Sequence, residues 1–143
     1  MTTRLLVVAI AVVAALLGAA GAGAKEFSPG DVRVCDATRC VPVMKPDLVR
    51  VLARFYYTGP KLATVARPSW GSPAFELRYR NGYATGVVAS ARLDRFLSFG
   101  VYLERFQARV WYRVPPEMAR ELRRLTAGLR PYRVTRALVA KSA

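Results

Sequence analysis

The sequence predicts an α+β domain, a small antiparallel sheet of about four or five strands covered on one face by two amphipathic helices. Three observations carry this. Runs at 32–43, 75–89 and 109–114 alternate apolar and polar residues, the period of a half-buried strand. Stretches opening at Pro46 and Pro116 repeat apolar residues at i, i+4 and i+7, the period of a one-sided helix. The chain has 143 residues, 53% of them apolar, which limits it to one domain with an ordinary core.

The first 24 positions stand apart from the rest. Arg4 is followed by an apolar run from Leu5 to Leu17, and small residues ending Ala22-Gly23-Ala24 precede the charged Lys25-Glu26. A basic start, a short apolar stretch and an A-x-A-like end predict a secretory signal peptide over 1–24. The alternative is a retained membrane anchor, for which the apolar length from Leu5 to Ala24 barely suffices. Cleavage after Ala24 gives a single domain, 25–143, whose net charge falls from +14 to +13 because Arg4 leaves with the leader. The expected location is outside the cytoplasm, secreted or associated with the cell envelope.

Export makes the two cysteines readable. Cys35 and Cys40 close a polar turn between Val32-Arg33-Val34 and Val41-Pro42-Val43, which predicts a hairpin stapled by its own disulfide. The spacing is not C-x-x-C and no helix start follows Cys35, so a redox pair is the weaker reading.

Leu48, Leu52 and Phe55 form one face of a helix over 46–57, with Arg50 and Arg54 opposite and Gly59-Pro60 as its stop. Residues 58–74, rich in Pro and Gly, read as an irregular connection in which Trp70 is expected to lie as a lid over the core. Asn81-Gly82 between two period-two runs predicts a β-hairpin. A two-residue turn there would pair Arg80 with Tyr83, Arg78 with Thr85 and Glu76 with Val87 on the outer face. Phe75, Leu77, Tyr79, Ala84, Gly86 and Val88 would then share the buried face. Over 90–108, the spacing of Leu93, Phe96 and Leu97 fits one or two helical turns from Ser90, and Val101-Tyr102-Leu103 fits a short strand. Residues 109–114 alternate as a strand. A second helix follows from Pro116, with Met118, Leu122 and Leu125 on one face and Gly128 and Pro131 as its stop. The tail from Tyr132 fits either a short strand or another helix.

The chain contains no His. That excludes a Ser/His/acid triad, a Cys/His dyad and any His-ligated metal site. Glu117 and Glu121 stand one helical turn apart, but acids at a helix start stabilise the dipole without any catalytic role. With no Gly-rich phosphate loop and no acidic metal cluster either, the sequence points to a non-enzymatic protein and implies no cofactor and no metal.

Charge points to a partner class instead. Lys and Arg number 23 against nine Asp and Glu, and residues 105–143 alone carry ten basic and two acidic side chains. If the sheet leaves one face in solvent, Arg109, Trp111 and Arg113 form a ladder on it, joined by Arg78, Arg80 and Tyr83 of the hairpin. Guanidinium forks interleaved with aromatic rings suit polyanions and stackable rings. The same pairs also occur as ordinary cross-strand packing. The expected partner is an anionic envelope polymer or membrane surface, with nucleic acid less expected for an exported chain. The competing class is a small protein-binding module using the Trp70 loop or the disulfide hairpin.

Overall fold

The computed structural model describes residues 27–57, 63–80, 82–99 and 108–142, with side chains in the first segment as far as Leu52. The leader over 1–24, the Gly59-Pro60 stop, Asn81 and the short strand expected at 101–103 lie outside the described residues.

The described chain builds one eight-stranded antiparallel sheet and three helices. In chain order these are β1 (Arg33–Cys35), β2 (Cys40–Pro42), α1 (Pro46–Tyr57), β3 (Thr64–Val65), β4 (Pro73–Arg78), β5 (Ala84–Ala89), β6 (Arg95–Ser98), β7 (Trp111–Arg113), α2 (Pro116–Thr126), β8 (Tyr132–Arg133) and α3 (Arg136–Ala140). The strands lie in the order β2-β1-β4-β5-β6-β7-β3, and β8 pairs with β4 beside β1. Strand β4 is therefore bonded along both edges, to β5 on one side and to β1 and β8 in turn on the other.

Local chemistry accounts for most elements. Cys35 and Cys40 are disulfide-bonded and stand opposite each other in the β1–β2 register. Pro116 opens α2 at the position where a missing N–H costs nothing, with Glu117 in the first turn and Arg123 and Arg124 in the last to complement the dipole. Helix α3 is capped by Thr135, whose hydroxyl accepts the N–H of Leu138 at 3.1 Å.

Two apolar layers sandwich the sheet. On one face Val34, Phe75, Leu77, Val88, Phe96 and Tyr112 pack with Leu48, Val49 and Leu52 of α1 and Met118, Ala119 and Leu122 of α2. Burying each large side chain of this layer contributes roughly 1.5–3 kcal/mol. On the other face Ala74, Val87, Ala89, Leu97 and Trp111 are covered by Val134 and by Leu138 of α3. The small residues Ala74 and Ala89 leave room there for a helix of five residues.

This differs from expectation in three respects. The sheet has eight strands and is covered on both faces, because the C-terminal segment folds back over the second one. The stretch expected to turn helical from Ser90 is a tight turn into β6. Ser90 and Leu93 take φ of +91° and +54°, the Leu93 N–H donates to Ser90 O at 3.1 Å, and the Ser90 hydroxyl donates to Asp94 Oδ1 at 2.6 Å. Positive φ at two residues is incompatible with a right-handed helix. Finally, the β4–β5 register holds at Glu76↔Val87 and then shifts by one residue, so that Arg78 faces Ala84 instead of Thr85.

Candidate functional site

The residues expected to form a continuous Arg–aromatic ladder do not come together as one. Strand β6 stands between the β4–β5 hairpin and β7, so the two groups are not neighbours. Trp111 is 2% exposed, in the layer beneath α3, and its indole N–H has no hydrogen-bond partner among the described residues. It cannot stack on a ligand from solvent. Arg109 is exposed but sits in a turn before β7 at φ +62°, with its backbone N–H donated to Ser142 Oγ at 3.0 Å. Arg113 is exposed on β7 and stands opposite Arg95.

The hairpin residues divide in the same way. Tyr83 is 74% exposed. Arg80 holds Asp31 Oδ2 at 2.5 Å and lies over the Phe27 ring. Arg78 is committed to Glu76, donating from Nη2 at 2.8 Å and from Nε at 3.2 Å. Glu76, expected in solvent, is buried because α3 closes over it, and Lys141 reaches its second oxygen at 3.3 Å. The Glu76 carboxylate raises the Arg78 pKa further, so that cation is permanent. Beside them Tyr132 donates its hydroxyl to Asp36 O at 2.9 Å, and burial pushes its pKa above the ordinary phenol value.

Asp36, in the turn of the disulfide hairpin, is 3% exposed. Its Oδ1 accepts the N–H groups of Thr38 and Arg39 and the Thr38 hydroxyl, and its Oδ2 accepts the N–H of Arg130 at 2.8 Å. These donors, Arg130 first, hold the carboxyl well below the usual carboxylate range. Arg39 adds a hydrogen bond from its guanidinium to Gly128 O. The hairpin tip is thus bolted to the segment after α2 through both oxygens of Asp36.

Three of the four remaining described acids are also occupied. Asp47 pairs with Arg50, Asp94 with Arg95, and Glu121 with both Lys45 and Arg124. A shallow cleft of about 200 Å³ opens between the first turns of α1 and α2 over Leu48, Val51 and Met118, with Asp47 and Glu117 at its rim. Among the described residues no three Cys, Asp or Glu side chains are grouped to hold a metal ion.

What sequence reasoning missed is the setting of Trp70. It does not cover the core but stands 48% exposed at the corner of a turn. Ser72 donates its N–H to Ser69 O at 3.1 Å, and Gly71 at the third position has φ +81°, the geometry of a type II turn. The Arg67 guanidinium lies over the indole, 3.4 Å from its centroid, and Arg133 donates to Gly71 O at 3.3 Å. The dipeptide Trp70-Gly71 between two serines was the available turn signal.

No family model, curated protein or solved structure matches this chain. Among the described residues no helix is long and apolar enough to cross a membrane.

Proposed function

We propose that this chain is an exported, disulfide-stapled, non-enzymatic binding domain that engages an anionic polymer of the cell envelope through its arginine surface. The observation that carries the reading is an imbalance of partners. Of the 18 Lys and Arg side chains described, seven hold a carboxylate. The other eleven, all exposed arginines, have no carboxylate partner among the described residues, while six of the seven described acids are already engaged. Internal pairing engages all but one of the described acids, so the described surface is dominated by guanidinium groups facing water. Such a field concentrates anionic polymers near the protein and gives binding that weakens steeply with salt. The Cys35–Cys40 disulfide supports a location outside the reducing cytosol.

The test is retention of the processed protein on a carboxylated polymer across a salt series, beside a variant carrying Arg109→Ala and Arg113→Ala. Retention at low salt that falls with salt, and falls earlier in the variant, is expected. Absence of retention at low salt overturns the reading, and retention that persists at high salt shifts it to an apolar protein interface.

A further inference from the structure

The turn that carries Trp70 is better ordered than an incidental loop. The Gly71 N–H donates to Val134 O at 2.9 Å and the Val134 N–H returns to Ser72 O at 2.9 Å, a reciprocal bridge that ties the turn to the strand segment after β8. Arg67 is held in two ways. Its Nη1 donates to Pro68 O at 2.8 Å while the guanidinium plane covers one face of the indole. Arg133 adds a second guanidinium, held at Gly71 O of the same turn. An indole, one of the largest apolar side chains, is therefore presented to water on a pinned backbone beside two arginines that hold no carboxylate among the described residues.

The chemistry of the three groups selects a ligand. The free surface of an indole takes an apolar ring face, and the two forks take an oxyanion attached to that ring. A pyranose with a carboxylate offers both, its C–H face to the indole and its carboxylate to a guanidinium. A ringless polyphosphate would use the arginines and leave the indole idle. Successive stacked bases need a row of aromatics. Among the described residues Trp70 has no such row, since the other exposed ring, Tyr83, lies beyond the opposite end of β4. We propose that Arg67, Trp70 and Arg133 form a subsite for a carboxylated sugar residue of an anionic polysaccharide. This rests on the polyanion reading above and names the residue type that reading leaves open.

Because the turn is already held in place, binding orders little new backbone, and affinity is not spent on folding a loop. The two tryptophans also separate the signals. Trp70 reports the subsite, whereas buried Trp111 reports the fold.

The probe is a galacturonate oligomer titrated into the purified protein at moderate salt, read by tryptophan emission and by calorimetry. Trp70→Ala and the Arg67→Ala, Arg133→Ala double variant are each expected to bind at least tenfold more weakly, with Trp111 emission in the first unchanged. An uncharged galactose oligomer of the same length is expected not to bind. Wild-type affinity in Trp70→Ala overturns the subsite and leaves the polyanion reading standing. Polyphosphate or oligothymidylate binding with equal dependence on Trp70 overturns the sugar assignment. No binding of any polyanion at low salt overturns both.

Discussion

The Asp36 carboxylate accepts the backbone N–H of Arg130 at 2.8 Å, across 94 positions of sequence. Asp36 also accepts from Thr38 and Arg39, so one side chain organises the disulfide turn and locks it to the segment that follows α2. Its pKa lies below the ordinary 3.8, with the Arg130 N–H the largest cause. A carboxyl with a depressed folded pKa contributes stability above its unfolded value, and that contribution is lost as the pH falls through the folded one. Unfolding midpoints in urea are expected to hold level above about pH 5 and to drop progressively below about pH 4. Asp36→Asn keeps one acceptor but turns a donor toward Arg130. Its midpoint should be lower at neutral pH and its acid slope flatter than that of the parent.

The Arg78–Glu76 pair separates a structural arginine from a binding one. Glu76 is buried with Arg78 and Lys141 as its charged partners. Arg78→Ala should destabilise the fold by roughly 3 kcal/mol, since it strands a buried carboxylate with one half-exposed lysine. Glu76→Gln should cost less than half of that, because a neutral amide needs no counter-charge. Chemical denaturation of both variants checks the order, and polymer retention measured below the transition should be little changed in either.

Gly86 is a packing requirement on β5. A Cβ at this position would meet Leu97 O at 2.4 Å and the Phe96 ring at 2.6 Å, and backbone cannot move aside cheaply. Gly86→Ala is expected to cost about 2 kcal/mol from overpacking. Gly82 is the control: nothing lies within 4 Å of its Cβ position, but φ is +79°. Gly82→Ala should cost about 1 kcal/mol from conformation alone. Thermal unfolding of the two side by side separates clash from strain.

Leu138 holds α3 over Trp111. Leu138→Ala, made together with Trp70→Ala so that Trp111 is the sole emitter, should destabilise by about 2–4 kcal/mol. It should also move the Trp111 emission to the red as water reaches the indole. An unshifted spectrum would mean that α3 is not what keeps this ring dry.

The elements legible in the sequence are those set by neighbours a few residues apart. Proline starts with i, i+4, i+7 spacing predict α1 and α2, Cys35 and Cys40 predict the stapled hairpin, and the Asn81-Gly82 signal predicts the β4–β5 hairpin, whose register matches from Ala74↔Ala89 to Leu77↔Gly86 and slips at Arg78 beside the turn. Strand β6 was hidden because Leu93, Phe96 and Leu97 mimic a helical face. Two residues with positive φ place Leu93 in a turn and leave the other two on a strand. The second apolar layer was hidden because α3 spans five residues, too few to display a period. The exposure of Trp70 and the burial of Trp111 follow from where distant segments dock, through Val134 and Leu138, and no local pattern encodes that. The arginine excess was plain from composition. Which arginines are free to meet a ligand required the pairing of every carboxylate.

The ends of the strand order have a bearing on solubility. The outermost strands, β2 and β3, are three and two residues long, and β2 terminates in Pro42, which has no N–H to offer. A second copy approaching edge-on finds few backbone donors and acceptors with which to extend the ladder. The net positive charge and the truncated edges thus work together against cross-β self-assembly of a chain with two apolar layers.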